Sequence, residues 1–222
     1  PKDAAKVIPV PVADNDTAIY VVDKNKEQQY DIINIMMKNE TTPDSLKGTL
    51  PYLLEGYLKN VATSMLNARF SEMAREADCP FLQGGSDIGN YLVSSTKDAF
   101  SVVGVAKPGK VKEAYAALMR EAKRVHDFGF TASEYQRAKD EFMSHVDKTY
   151  ENRAKMKNEQ FTTQYVDHFI SNEPIPSVED ETQIYKMVVP RLSVDVVNSA
   201  VKQLICTTDT NLVSMVLMHE AE

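Results

Sequence analysis

The stretch Met65-Leu66-Asn67-Ala68-Arg69-Phe70-Ser71-Glu72-Met73-Ala74-Arg75-Glu76, followed by Cys79-Pro80-Phe81-Leu82, decides how this chain folds. Counting back from it, Leu54, Leu58, Val61, Met65 and Ala68 fall at i, i+4, i+7, i+11 and i+14, which is one face of a helix. The spacing predicts a helix from about Thr49 to Ala77. Pro80 stops it, because proline has no N–H to donate and biases the residue before it toward extended backbone.

On the N-terminal side, Tyr30-Asp31-Ile32-Ile33-Asn34-Ile35-Met36-Met37 reads as an apolar strand. Ile19-Tyr20-Val21-Val22 reads as a shorter one, with Asp23-Lys24-Asn25-Lys26 as the polar turn between them. Residues 1–18, with Pro9, Pro11 and Asp14-Asn15-Asp16, read as an extended linker. On the C-terminal side, residues 81–107 read as a β meander interrupted at Gly84-Gly85 and Gly89-Asn90, with a turn at Ser95-Thr96-Lys97-Asp98 and an end at Pro108-Gly109.

A clean amphipathic helix follows, with Val111, Ala114, Tyr115, Leu118, Ala122 and Val125 on its apolar face and Gly129 as its C′ residue. Thr131-Ala132-Ser133-Glu134 is a capping box and opens the next helix, whose spacing of Tyr135, Ala138, Phe142 and Val146 is again helical. Phe161, Tyr165 and Phe169 continue that spacing beyond a charged middle. Pro174 and Pro176 precede two shorter helices, Val178 to Val188 and Val194 to Leu204, with Ser177 and Ser193 as N-caps. Asn211 to Leu217 is a last strand. Grouped helices and mostly antiparallel strands define an α+β fold, one sheet covered on one face by helices, with no boundary after residue 18.

At 222 residues, net charge −7 and pI about 5.2, the chain is suited neither to nucleic acid nor to an anionic membrane surface. The basic run Arg153-Ala154-Lys155-Met156-Lys157 sits between Glu151 and Glu159 and reads as a solvated helix face. No apolar run approaches the roughly 20 residues that span a bilayer, so no membrane insertion is expected. Cys79 and Cys206 are open to one disulfide or to two free thiols, with buried free thiols favoured. The N-terminus lacks both an initiator Met and an apolar leader, and reads as a piece cut from a longer protein.

The pattern of Met65-Leu66-Asn67, Arg69-Phe70, Glu72, Arg75-Glu76 and Pro80-Phe81-Leu82 resembles the non-catalytic second domain of insulinase/pitrilysin-type zinc metallopeptidases, in their long-chain bacterial form. The resemblance extends over nearly the whole chain. Tyr30-Asp31-Ile32 with Met37-Lys38 is similar to the family's entry into that domain, and Phe128-Gly129-Phe130-Thr131 with Glu134 and Arg137-Ala138-Lys139 to its G-F-T helix start. Phe169 with Glu173-Pro174, and Leu192-Ser193-Val194-Asp195-Val196-Val197, match its later elements.

This resemblance implies a metallohydrolase-type α+β domain, like those of mitochondrial-processing-peptidase-like proteins. Two such halves enclose a peptide chamber, and zinc sits on an H-x-x-E-H helix of a preceding, homologous domain. The implied partners are other domains of the same polypeptide, above all the zinc-bearing one, and a peptide substrate. A periplasmic or cell-envelope setting is compatible with such a parent, and the compartment stays open. His126, His145, His168 and His219 include no pair four residues apart, so no zinc helix is expected in this chain. Shorter members offer an Arg and, seven residues on, a Tyr that reach the substrate. Those positions fall on Arg75 and Leu82, and a leucine cannot donate a hydrogen bond to an oxyanion. Arg75 is therefore the one substrate-contact candidate, set against a plain surface arginine paired with Glu72 or Glu76.

Bland readings prevail elsewhere. Asp167 and His168 diverge by about 100° on a helix and do not form an acid–base pair. Gly84-Gly85-Ser86-Asp87-Ile88-Gly89 opens no helix and so is no phosphate loop, but a strand with bulges. Two alternatives to the peptidase reading stand. One is a structural or interaction module of the same fold, and the other an unrelated α+β domain that binds peptides along a sheet edge.

Overall fold

Successive residues of a strand point to opposite faces, and Ile32–Glu40 (β2) shows it: Ile33, Ile35 and Met37 are buried on one face. The computed structural model describes residues 8–220. β2 is the middle of a five-stranded sheet built with Ile19–Asn25 (β1), Phe81–Asn90 (β3), Lys97–Ala106 (β4) and Leu212–His219 (β5), in the order β1-β5-β2-β4-β3. Only the β1–β5 pair is parallel. The fold is α+β with a mostly antiparallel sheet.

The helices are Leu50–Met73 (α1), Val111–Phe128 (α2), Ala132–Asn152 (α3), Asn158–Ser171 (α4), Val178–Val188 (α5) and Val194–Leu204 (α6). The chain divides into two compact units. The sheet unit comprises the segments up to Thr41, Asp78–Met119 and the chain from Leu204 onward. The helical unit comprises Thr42–Ala77 and Arg120–Gln203.

In the sheet unit, the first half of α2 lies on the face that carries Ile33, Ile35, Phe100 and Val102. A Cβ at Gly104 of β4 would stand 2.5 Å from Leu118 Cδ1, so glycine is what lets α2 approach. Tyr115 and the buried Ser214 share a hydroxyl hydrogen bond of 2.8 Å on the same face. In the helical unit, Tyr57 of α1 packs edge-on against Phe142 of α3 with ring centroids 4.8 Å apart, and Phe142 likewise against Tyr185 of α5 at 5.0 Å. The Tyr57 and Tyr135 hydroxyls meet at 3.0 Å, so both buried phenols are satisfied.

Local signals place most of the ends. Thr49 caps α1, Ser177 caps α5, and the Thr131–Glu134 capping box is formed. Several boundaries differ from the sequence reading: β2 runs Ile32–Glu40 and not Tyr30–Met37, β5 runs on to His219, and three further differences have a visible cause. α1 ends at Met73, short of Ala77: Arg75 and Glu76 donate to the carbonyls three residues back, a tightened turn that brings the chain round to β3. β1 runs through the expected polar turn to Asn25, held by pairing of Lys24 and Asn25 with Met218 and His219. Gly84-Gly85 do not interrupt β3, and the meander is two strands. Gly84 and Gly85 stay in register with Gly104 and Val103, while the one bulge falls at Leu82.

Candidate functional site

Arg75 lies in the turn after α1, and its side chain is exposed. No ion pair joins it to Glu72 or Glu76 among the described residues. Leu82, at the position of the missing tyrosine, is a half-exposed residue of β3. Neither position supplies a group that could activate water.

The histidines are scattered. His126 Nδ1 meets Asp127 at 2.8 Å, His168 Nδ1 meets the Glu173 carbonyl at 2.6 Å, and His219 Nδ1 meets the Gln28 carbonyl at 2.6 Å. Among the described residues no three His, Cys, Asp or Glu side chains come together to hold a metal ion. Cys79 and Cys206 are free thiols, and burial pushes the Cys206 thiol pKa up.

The densest charge cluster belongs to a residue that the sequence reading placed in a motif without a partner. Arg69 of α1 donates through Nε to Glu134 Oε1 at 2.6 Å and through Nη2 to Glu134 Oε2 at 2.9 Å, a bidentate fork. Its Nη1 reaches Glu121 at 2.9 Å, its Nη2 also reaches the Gly129 carbonyl at 3.1 Å, and its guanidinium stacks on Phe130 at 4.9 Å. The Arg69 guanidinium, with the Thr131 amide and hydroxyl, holds the Glu134 carboxyl down at about 2. Asn198 of α6 completes the corner, accepting the Phe130 N–H at 2.8 Å and donating to the Phe130 carbonyl at 3.1 Å. Beside the cluster, a recess of about 170 Å³ between α1 and α3 is lined by Met65, Glu72, Arg137 and Glu141 among others. Three carboxylates, Glu72, Glu134 and Glu141, face two arginines, Arg69 and Arg137, across it, and its one hydroxyl, Ser64, has no histidine beside it in the lining.

The other surface of note is the sheet face away from Leu118. Asn34, Ser101, Val103 and Met215 share it and are only partly covered. Asn34 Oδ1, between Val103 and Met215 in register, is buried and meets no donor among the described residues.

No family model and no curated protein matches the chain. Solved structures do. The periplasmic protease PqqL from Escherichia coli superposes with a TM-score of 0.82 at 15% identity, over 97% of this chain and 23% of that one. A predicted insulinase family protease from Yersinia pestis gives 0.78 at 16% identity, over 98% and 46%. A peptidase inactive domain from Pseudomonas fluorescens gives 0.67 at 14% identity, over 100% and 48%. The fold is therefore that of an insulinase-type peptidase domain, as the motifs around Arg69 and Glu134 imply. The chain spans less than half the length of each of these three structures.

Proposed function

We propose that this chain is a zinc-free domain of a larger peptidase, forming one wall of a peptide chamber whose zinc is carried by a homologous companion domain. The observation that carries this reading is the superposition on nearly all of this chain but only 23% of a periplasmic protease. Two surface features support it. The sheet face bearing Asn34, Ser101 and Val103 is open enough to meet a peptide. On α4, Phe169 is 90% and Ile170 74% exposed beside Tyr165 and Val166, an apolar patch of the kind that domains of larger polypeptides cover. In this reading Arg75 is at most an accessory substrate contact, and the chain's part in proteolysis is enclosure.

The test places a photo-crosslinking residue at Val103, and separately at partly exposed Lys139 of α3, in the full parent polypeptide. During turnover a labelled peptide substrate is expected to attach at position 103 and not at 139. A parent that cleaves the peptide with no capture at 103 removes the wall from this face. A parent with neither zinc nor cleavage leaves the chain as a structural module of the same fold. Purified residues 1–222 are expected to hold no stoichiometric zinc and to cleave no peptide.

A further inference from the structure

Residues 10–16 form neither helix nor strand, yet they are bound to the sheet unit as a peptide is bound to a receptor. Thr96 Oγ1 accepts the Val12 N–H at 3.1 Å and donates to the Val10 carbonyl at 3.2 Å, so one hydroxyl reads positions i and i+2 of an extended backbone. Lys38 Nζ donates to the Ala13 carbonyl. Asn211 pairs with Asn15 in both directions, its Oδ1 accepting the Asn15 N–H at 3.2 Å and its N–H donating to the Asn15 carbonyl at 2.8 Å. Lys97 Nζ holds the Asp14 carboxylate at 2.9 Å. All of these contacts but the last go to main-chain atoms, the mode by which sheet-based receptors take up strands of varied sequence.

The receptor side belongs to the sheet, not to the strap. Lys38 is on β2, Lys97 begins β4, Thr96 precedes it, and Asn211 precedes β5. Beneath them Met36, Ala99 and Val213 form a small apolar floor with Tyr91 at its edge, and Lys38 Nζ lies 5.7 Å from the Tyr91 ring centre. This floor explains why β2 is buried on both faces from Ile35 to Lys38.

Charge supplies the second argument. In a chain of net charge −7, two lysines only 7% and 5% exposed stand at one end of the groove. On the sheet, Glu40 of β2 pairs with Lys97. The strap adds another carboxylate, Asp14. Burial and the neighbouring Lys97 push the Lys38 pKa down, and Asp14 draws it back up. Without Asp14 the groove keeps an unbalanced positive charge.

We propose that this groove is a binding site for an extended peptide bearing an acidic side chain, and that residues 10–16 occupy it in cis as an intramolecular ligand. The inference uses contacts inside the sheet unit alone and stands whether or not the chain serves a peptidase. A partner peptide enters by displacing the strap and placing a carboxylate on Lys97.

The test uses the full chain and a fluorescein-labelled peptide with the sequence of residues 8–16. Asp14→Lys sets a like charge against Lys97, and Val12→Pro removes the N–H that Thr96 accepts; neither touches the sheet. In both variants the Asn15 amide is expected to exchange at least tenfold faster than in the parent chain, and the peptide to bind at least tenfold tighter. Adding Lys97→Met to Asp14→Lys, or changing the peptide's first aspartate to asparagine, is expected to reverse that gain. Absence of peptide binding when the strap amides exchange freely overturns the site. Unchanged amide protection in both variants overturns the latch. Equal binding of the aspartate and asparagine peptides overturns the acidic preference.

Discussion

Two charge clusters in this chain are built on opposite plans. Around Arg69 every partner is enclosed: the Arg69 side chain is 11% exposed, Glu121 7% and Glu134 17%. Around Lys97 only the cation is enclosed, at 7%, while its carboxylates Asp14 and Glu40 are 57% and 78% exposed. The first uses a planar fork that fits two carboxylates and a carbonyl at once, geometry that a point-charge ammonium does not reproduce. The second uses ammonium groups, which accept any oxygen in reach. An ion pair buried on both sides fixes a structure, whereas one buried on a single side leaves its outer member exchangeable.

The largest expected effect that tests this contrast is Arg69→Ala. Removing one partner of an enclosed cluster strands the other charges, at a cost of about 3–5 kcal/mol. Urea unfolding is the measurement, and we propose that residues 19–222 unfold there in one transition. A loss under about 1 kcal/mol breaks the comparison. Next comes Gly129→Ala, at about 1–3 kcal/mol. Gly129 has φ +68°, and an added Cβ would stand 2.4 Å from Asn198 Cγ, disturbing the corner whose carbonyl Arg69 binds.

Acid sharpens the contrast further. The Glu134 carboxyl lies at about 2 when folded, below its ordinary 4.5, so the unfolded chain binds more protons between those values. Its stabilisation is complete above about pH 4.5 and drains away as pH falls toward 2. Arg69→Ala is expected to flatten that part of the stability–pH curve, measured by urea midpoints at each pH. Lys97→Met is expected to change global stability by less than about 1 kcal/mol, since the carboxylates it leaves behind are already in water. A salt titration of that variant should show a weaker dependence than the parent chain. Smallest is Arg75→Ala, within about 0.5 kcal/mol on unfolding. In an intact parent it is expected to lower kcat/KM for peptides, and equal kcat/KM leaves Arg75 as a surface residue.

Features written in short sequence windows were legible. The cap at Ser177 and the capping box at Thr131–Glu134 are contacts between residues three apart, and the residues themselves announce them. The apolar face of α1 was read less well. Tyr57, Ala62, Leu66 and Phe70 join Val61 and Met65 in the core, a broader stripe than the row from Leu54 to Ala68. The strap escaped because its partners lie far away in sequence, Val12 with Thr96 and Asn15 with Asn211. Proline and aspartate in the segment signal extended, solvated backbone whether or not a receptor lies beneath it. Lys97 escaped for the same reason, since a lysine in a turn reads as solvent-exposed until the chain that covers it is known. Arg75 was legible as a position at the end of α1, and nothing local shows what faces it.

The place of β5 has a consequence for the order of events during synthesis. This strand is the last of the described strands to be made, yet it lies between β1 and β2 and is the only partner that β1 has. While the ribosome is still producing α2 to α6, β1 has nothing to pair with, and the inner edge of β2 waits with Ile33 and Ile35 open. Ile33 finds Val216 only across most of the chain, a long loop to close and a slow step by topology. A nascent chain stopped before Leu212 therefore holds at most the hairpin layers β2-β4-β3, with an apolar edge exposed to its neighbours on the same message. Completing this sheet depends on β5 arriving, and that interval is when the domain most needs a chaperone.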